Sequence, residues 1–249
     1  MSKNRNFSND FNVSESGDKN ELNKNNEENG MAFANTKIVC HGACAARIGE
    51  RLLHRVWKYL RNTEFVKGNI SENERKAMLH SISLKEFILY PDDIEKSSTE
   101  CDIVYQIITN DDTHLEENLK RVTDKFNGTP CIAFVIGEKR DEIINIAHIN
   151  LEEAEILDTF LDLFSIYTFP QEYGADFEEI RPMLEHKGEI TTEKGEGFNL
   201  CVFRKTSKEC TFDKEIKSME QGKEKYILSS RMANEDTIKI YNVKKSNFI

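Results

Sequence analysis

Apolar residues first gather at 36-TKIVC, a short β-branched run that gives way to a Gly-containing bend and then to 47-RIGERLLHRVWKYL, where they recur at helical spacing. This predicts strand, loop and helix in succession. A polar connector leads to an expected helix at 72-ENERKAMLHSI and to strands at 86-EFILY and 102-DIVYQIIT. Helix 115-LEENLKRVTDKF, a turn at Asn127-Gly128 and strand 131-CIAFVIG complete a βαβ unit. Such alternation predicts a mainly parallel sheet covered by helices on both faces, α/β in class and Rossmann-like. The segment 151-LEEAEILDTFLDLFSIYTF follows and is stopped by Pro170. Its Ile156, Leu157, Phe160, Leu161, Phe164 and Tyr167 track one broad helical face, as expected of a spine between two units. Beyond it come helix 177-FEEIRPMLEHK, a loop at 195-GEG, strand 199-NLCVFRK and helical 213-DKEIKSMEQG. Strands 225-KYILSSRM and 237-TIKIYNV, joined across Asn234-Glu235-Asp236, read as a closing hairpin of a small C-terminal α/β unit. No internal repeat interrupts the order.

Residues 1–34 are crowded with Asn, Ser, Glu and Lys and carry almost no aliphatic side chains, so they are expected to form a disordered tail. The remaining chain has enough apolar residues for one or two compact units. With 34 Lys+Arg against 44 Asp+Glu the formal charge is −10, and no basic stripe is visible. Nucleic-acid phosphates and anionic membrane surfaces are therefore poor partners. No run approaches the roughly 20 apolar residues needed to span a bilayer, and the polar start lacks a signal-peptide core, which points to a cytoplasmic protein.

The six cysteines are scattered, several inside apolar strand-like runs, and read as buried thiols. Cys40-His41-x-x-Cys44 has metal-like spacing, but no second ligand pair follows it, so no metal site is assigned. The histidines lack clustered partners, and no nucleophile elbow G-x-S-x-G occurs. Arg51, Arg55 and Lys58 near one face of the first helix read as solvated.

Several of these segments, in order, resemble the tubulin/FtsZ superfamily of GTP-binding filament proteins. The stretch 42-GACAARIGERL is similar to the tubulin phosphate loop G-Q-C-G-N-Q-I-G, in which backbone N–H groups and a helix N-terminus face phosphate oxygens. The run from 101-CDIVYQIITNDDT to 131-CIAFVIGEK resembles the FtsZ strand, Gly-rich loop, helix and strand. The most specific match is 167-YTFPQEYGADFEEIRPMLEHKGEITTEKGEG, which runs without a gap beside the FtsZ pattern through its N-x-D-x-x-D loop. Finally 226-YILSSRMANEDTIKIYNV is similar to the closing FtsZ strands, so the resemblance covers most of 36–245.

The resemblance divides the chain into the tail, a shortened nucleotide-binding-like domain at 35–150, a central helix with acidic loop and following helix at 151–184, and a C-terminal domain at 185–249. It implies nucleotide-binding roles for Gly42, Ala43, Cys44 and Arg47. Where the family wraps phosphates with G-G-G-T-G-T-G, this chain has 109-TNDDTHLEEN, glycine-free and acidic through Asp111, Asp112, Glu116 and Glu117. Ala154 stands where the family carries a base-reading polar residue, and Ala45 and Ala46 replace Gly and Asn of the first loop. The family's acidic loop enters the pocket of a neighbouring subunit; here Gly174 replaces its Asn, Asp176 is kept and Glu179 takes the place of the second Asp, so these two carboxylates are the catalytic candidates. Acidic residues in a first helical turn also simply favour the helix dipole. The leading expectation is a non-hydrolysing partner or regulator of an FtsZ-like or tubulin-like filament, with no cofactor. The alternatives are a divergent self-associating GTPase that binds GTP/GDP with Mg²⁺ held by Asp111 or Asp112, and a Rossmann-like module for another small ligand.

Overall fold

The computed structural model describes residues 36–62, 88–138, 141–168, 177–207, 209–222 and 224–243. The Asn-rich tail, the helix expected near residue 72, Pro170, Gly174 and Asp176 lie outside them.

The first sheet is built from β1 (Thr36–His41), β2 (Ile88–Leu89), β3 (Ile103–Thr109), β4 (Cys131–Ile136), β5 (Ala147–Leu151) and β6 (Gly188–Glu189). Its spatial order is β2-β1-β3-β4-β5-β6, and every pairing is parallel. Burial on both faces explains why β1 and β3 read as continuous apolar runs. Helices α1 (Ala43–Asn62) and α2 (Leu115–Lys125) supply cover, joined by the central helix α3 (Ile156–Thr168). On one face Val39 and Val104 pack against Val122 of α2 and Phe126 just past its end, while Ile108, Ala133 and Val135 meet Leu115 and Leu119 of the helix. The opposite face carries Tyr105 and Phe134, which close on Phe160 of α3 with ring centroids 5.0 and 5.7 Å away.

The strand expected at 86-EFILY is described over Ile88–Leu89, with Glu86 and Phe87 outside the described residues, and Pro91 opens a 3₁₀ turn just beyond it. Two expectations are corrected. Leu151 ends strand β5 rather than beginning the spine; residues 152–155 turn, and α3 starts at Ile156. The spine is buried well beyond the expected apolar face: Thr159, Asp162 and Ser165 are as buried as Phe160, Leu163 and Phe164, while Leu157 and Asp158 stay partly exposed.

The second sheet is formed by β7 (Phe198–Lys205), β8 (Lys225–Met232) and β9 (Thr237–Val243) in the order β8-β7-β9. The expected closing hairpin is absent: β8 runs parallel to β7, β9 runs antiparallel to it, and β7 lies between them. The β8–β9 connection passes over the end of β7, where the Ala233 N–H donates to Lys205 O at 2.7 Å. The Thr206 N–H donates to Asp236 Oδ1, also at 2.7 Å, and fixes that crossing. Helices α4 (Phe177–Leu184) and α5 (Asp213–Glu220) complete the described elements.

A buried ionic cluster ties α3 to this sheet. Asp162 accepts a two-point contact from Arg204 Nε (3.0 Å) and Nη2 (2.7 Å), a bond from Arg231 Nε and another from the Tyr241 hydroxyl. Arg231 Nη2 also donates to Asp158 Oδ1 at 3.2 Å, so two arginines face two carboxylates. Burial and the neighbouring Asp162 carboxylate push the Tyr241 phenol well above its ordinary pKa.

Candidate functional site

The chain leaves β1 for β2 on one side and returns as β3 on the other, so strand order reverses between β1 and β3. In open parallel sheets the crevice beyond the carboxyl ends of such strands is the ligand site. Here that crevice is a cleft of about 550 Å³ whose walls include Gly42, Ala43, Tyr90, Asp112, Glu117 and Arg121.

Gly42 makes the turn from β1 into α1 at a φ of +100°, in the left-handed region that favours glycine. The helix N-terminus that follows has its free amides taken by the end of β3. The Cys44 N–H donates to Asp111 Oδ2 at 3.0 Å, and the Ala45 N–H donates to Thr109 Oγ1 at 3.2 Å. The Thr109 hydroxyl in turn lies within hydrogen-bond reach of Asp111 Oδ1 and of His41 O. Desolvation at the turn works against the charge of the exposed Asp111 carboxylate. The bonds from Thr109 and from the N–H groups of Cys44, Asp111 and Ala43 outweigh it and hold its pKa below the usual carboxylate range. The approach is close enough that a Cβ on Gly42 would stand 2.6 Å from Asp111 Oδ1.

Asp112 turns the other way and braces the approach to α2. Its Oδ1 accepts from the His114 N–H at 2.9 Å and its Oδ2 from Asn118 Nδ2 at 2.9 Å. His41 lies beneath it, fully buried, with Nδ1 3.5 Å from Asp112 Oδ2 and Nε2 2.7 Å from Gln106 Oε1. Gln106 Nε2 continues to Cys131 Sγ at 2.9 Å. Burial pulls the His41 pKa below its ordinary value despite the Gln106 and Asp112 contacts. Burial also pushes the Cys40 and Cys131 thiols up to about 12.

The four residues expected to bind nucleotide fall together at this turn. Gly42 and Ala43 line the cleft; Cys44 contributes its amide to Asp111, and the exposed Arg47 donates from Nη2 to Cys44 Sγ at 2.9 Å. Glu179 lies in the first turn of α4, exposed and outside the cleft lining. Asp176 is outside the described residues. Ala154 is exposed in the turn before α3. Arg55, expected to be solvated, is partly buried with Nη2 4.0 Å from Asp158 Oδ1, whereas Arg51 is exposed and donates to Glu153 at 2.8 Å. Among the described residues no three His, Cys, Asp or Glu side chains converge as a metal-ligand set, Cys40, His41 and Cys44 included. No described helix is long and apolar enough to cross a membrane.

The fit to a nucleoside triphosphate is tested by the first amide of this loop. A phosphate oxygen seated against Cys44 N–H would occupy the place of Asp111 Oδ2, with a second carboxylate, Asp112, on the cleft wall. With Asp111 in this position the Cys44 amide is already bonded, and a phosphate oxygen there would meet the Asp111 carboxylate. Sequence reasoning read Asp111 as an acidic departure from the Gly-rich loop and missed its bond to the Cys44 amide. The available signal was a carboxylate two residues past the end of β3, at the sheet's switch point.

A parallel sheet with a switch-point cleft, a buried central helix and a second mixed sheet define a Rossmann-like α/β protein with a tubulin/FtsZ-like fold. A solved FtsZ dimer from M. jannaschii, described as empty, matches at a TM-score of 0.53 and 11% identity, covering 89% of this chain and 90% of that one. No family model matches the chain, and no curated protein does.

Proposed function

We propose that this chain is a nucleotide-independent, non-hydrolysing partner or regulator of an FtsZ-like or tubulin-like filament. The observation that carries the reading is the contact between Cys44 N–H and Asp111 Oδ2. A carboxylate of the chain itself holds the helix N-terminus that, in the family this sequence resembles, faces phosphate. The FtsZ-like fold supports the assembly half of the proposal, because in that family one subunit's acidic loop docks on the next subunit's nucleotide face. Asp176 and Glu179 are the corresponding carboxylates here. A subunit that keeps the acidic loop and fills its own phosphate position is asymmetric: one end suits docking on a genuine filament, and the other lacks the nucleotide that the next subunit's loop would meet.

Two measurements test it. Calorimetric titration of stripped protein with GTP and GDP, with and without Mg²⁺, is expected to give no binding. Co-sedimentation with a polymerised FtsZ-like protein is expected to show the chain in the pellet or a change in polymer mass, weakened by Asp176→Ala. Micromolar GTP binding, or no effect on the polymer at any ratio, overturns the proposal.

A further inference from the structure

We infer that Asn127 is a self-processing site, at which the main-chain nitrogen of Gly128 attacks the Asn127 carboxamide and converts the turn between α2 and β4 to isoaspartate and aspartate.

The local geometry carries it. Phe126, Asn127, Gly128 and Thr129 close a turn in which the Thr129 N–H donates to Phe126 O at 2.9 Å. Gly128 stands in its third place at a φ of +84°, in the left-handed region, so the turn itself calls for glycine there. Glycine is also the residue that leaves its main-chain nitrogen open to attack: no Cβ shields it, and nothing else lies within 4 Å of the place a Cβ would take. Asn127 and Gly128 are both exposed, and among the described residues no hydrogen bond holds the Asn127 carboxamide. The carboxamide can swing onto the Gly128 nitrogen, opposed by the Thr129–Phe126 hydrogen bond. The chain's other Asn-Gly pair, Asn29-Gly30, lies outside the described residues.

The step consumes only water and releases only ammonia. As the Gly128 nitrogen gives up its proton, its bond to Asn127 Cγ forms, the Cγ–Nδ2 bond breaks and ammonia leaves, closing a succinimide ring. Water then opens the ring on either side of the nitrogen. Cleavage at Cγ gives aspartate with the chain unaltered, and cleavage at the Asn127 main-chain carbonyl carbon gives isoaspartate, whose main chain runs through Cβ and Cγ. Both products add a negative charge, and isoaspartate also adds one carbon to the main chain. The connection has little slack to absorb it, because Phe126 is packed with Val39, Val104 and Val122, and Pro130 O accepts from the Val104 N–H at 2.9 Å.

The test incubates the full chain at mildly alkaline pH, native and in urea. Digestion in weak acid, where the attack is slow, then lets the peptides holding Asn127 and Asn29 be followed separately by mass spectrometry. The Asn127 peptide is expected to gain the mass of amide-to-acid conversion and to split into two isomers, isoaspartate the more abundant. The native rate is expected within about tenfold of the rate in urea, because an exposed turn opens locally at little cost. Asn127→Gln, whose longer side chain must close a larger ring, is expected to leave that peptide unchanged. A native rate further below the urea rate overturns the inference, as does aspartate without isoaspartate, the mark of direct hydrolysis. The isoaspartate form, separated chromatographically, is expected to unfold at lower urea than Asn127→Asp, which carries the charge without the extra carbon; equal midpoints overturn the claim that the added carbon strains the turn.

Discussion

Asp162 and Arg204 meet as a two-point ion pair with neither side chain open to solvent, and they join the central helix to the middle strand of the second sheet. Arg231 and Tyr241 bond the same carboxylate, so one acidic residue satisfies three buried donors. Removing it leaves two buried guanidinium groups with a net positive charge that only Asp158 partly offsets.

Asp162→Ala is expected to destabilise the fold by about 3–5 kcal/mol, the cost of stranding a buried charge. Asp162→Leu combined with Arg204→Met is expected to cost less than the two single changes summed, because one of the two stranded guanidinium groups is gone. Urea denaturation of wild type, Asp162→Ala, the two single variants and the double variant measures both, and strict additivity would contradict the coupling.

Phe160 stands at the centre of an aromatic cluster, with Tyr105, Phe134 and Phe164 rings 5.0, 5.7 and 5.5 Å away. Phe160→Ala is expected to cost about 3–5 kcal/mol through lost burial and the cavity left between sheet and helix. Phe160→Leu should cost clearly less in the same denaturation experiment.

Gly42→Ala is expected to destabilise on two grounds, the +100° φ and the collision with Asp111. In Asp111→Gly the collision disappears while the φ penalty stays. The Ala substitution should therefore cost less in the Asp111→Gly background, and equal costs in both backgrounds would show that the collision contributes nothing.

The buried His41 titrates below the ordinary imidazole value of about 6.5, so the unfolded chain takes up its proton first as pH falls. Its contribution to stability is complete above that unfolded value and declines as pH drops from there towards the folded pKa. Its surroundings bring one carboxylate, Asp112, and one neutral amide, Gln106, to the ring. The urea midpoint is expected to fall between pH 7 and 5 more steeply in wild type than in His41→Gln; identical slopes would remove His41 as the cause.

Cys40 and Cys201 are fully buried with thiols pushed up to about 12, and are expected to resist a thiol reagent until the protein unfolds. The partly exposed Cys44, with the Arg47 guanidinium against its sulfur, is expected to react in the native state. Mass spectrometry of labelled peptides gives the order.

Local pattern was enough for the elements whose contacts are near in sequence. The β-branched runs at Ile103–Thr109 and Cys131–Ile136, with the helical spacing between them, determined the parallel βαβ unit, and the Gly42 bend placed the phosphate-loop-like turn. Residue spacing does not carry information on what lies opposite. The pattern suggested a hairpin of β8 and β9, because a four-residue connection allows one; only the assembled sheet shows β7 inserted between them. Nothing in the local spacing marks Asp162, whose buried ion pairs are with two arginines that arrive 42 and 69 residues later. Asp111 looked like a charge that would repel a ligand, and its role follows from the register that sets the end of β3 beside the end of β1, placing the carboxylate on amides 67 residues away. The sequence by itself determined which segments become strands and helices, since that depends on neighbours along the chain. Which charges are satisfied, and by which partners, was decided by tertiary structure, because electrostatic partners are chosen by proximity in space.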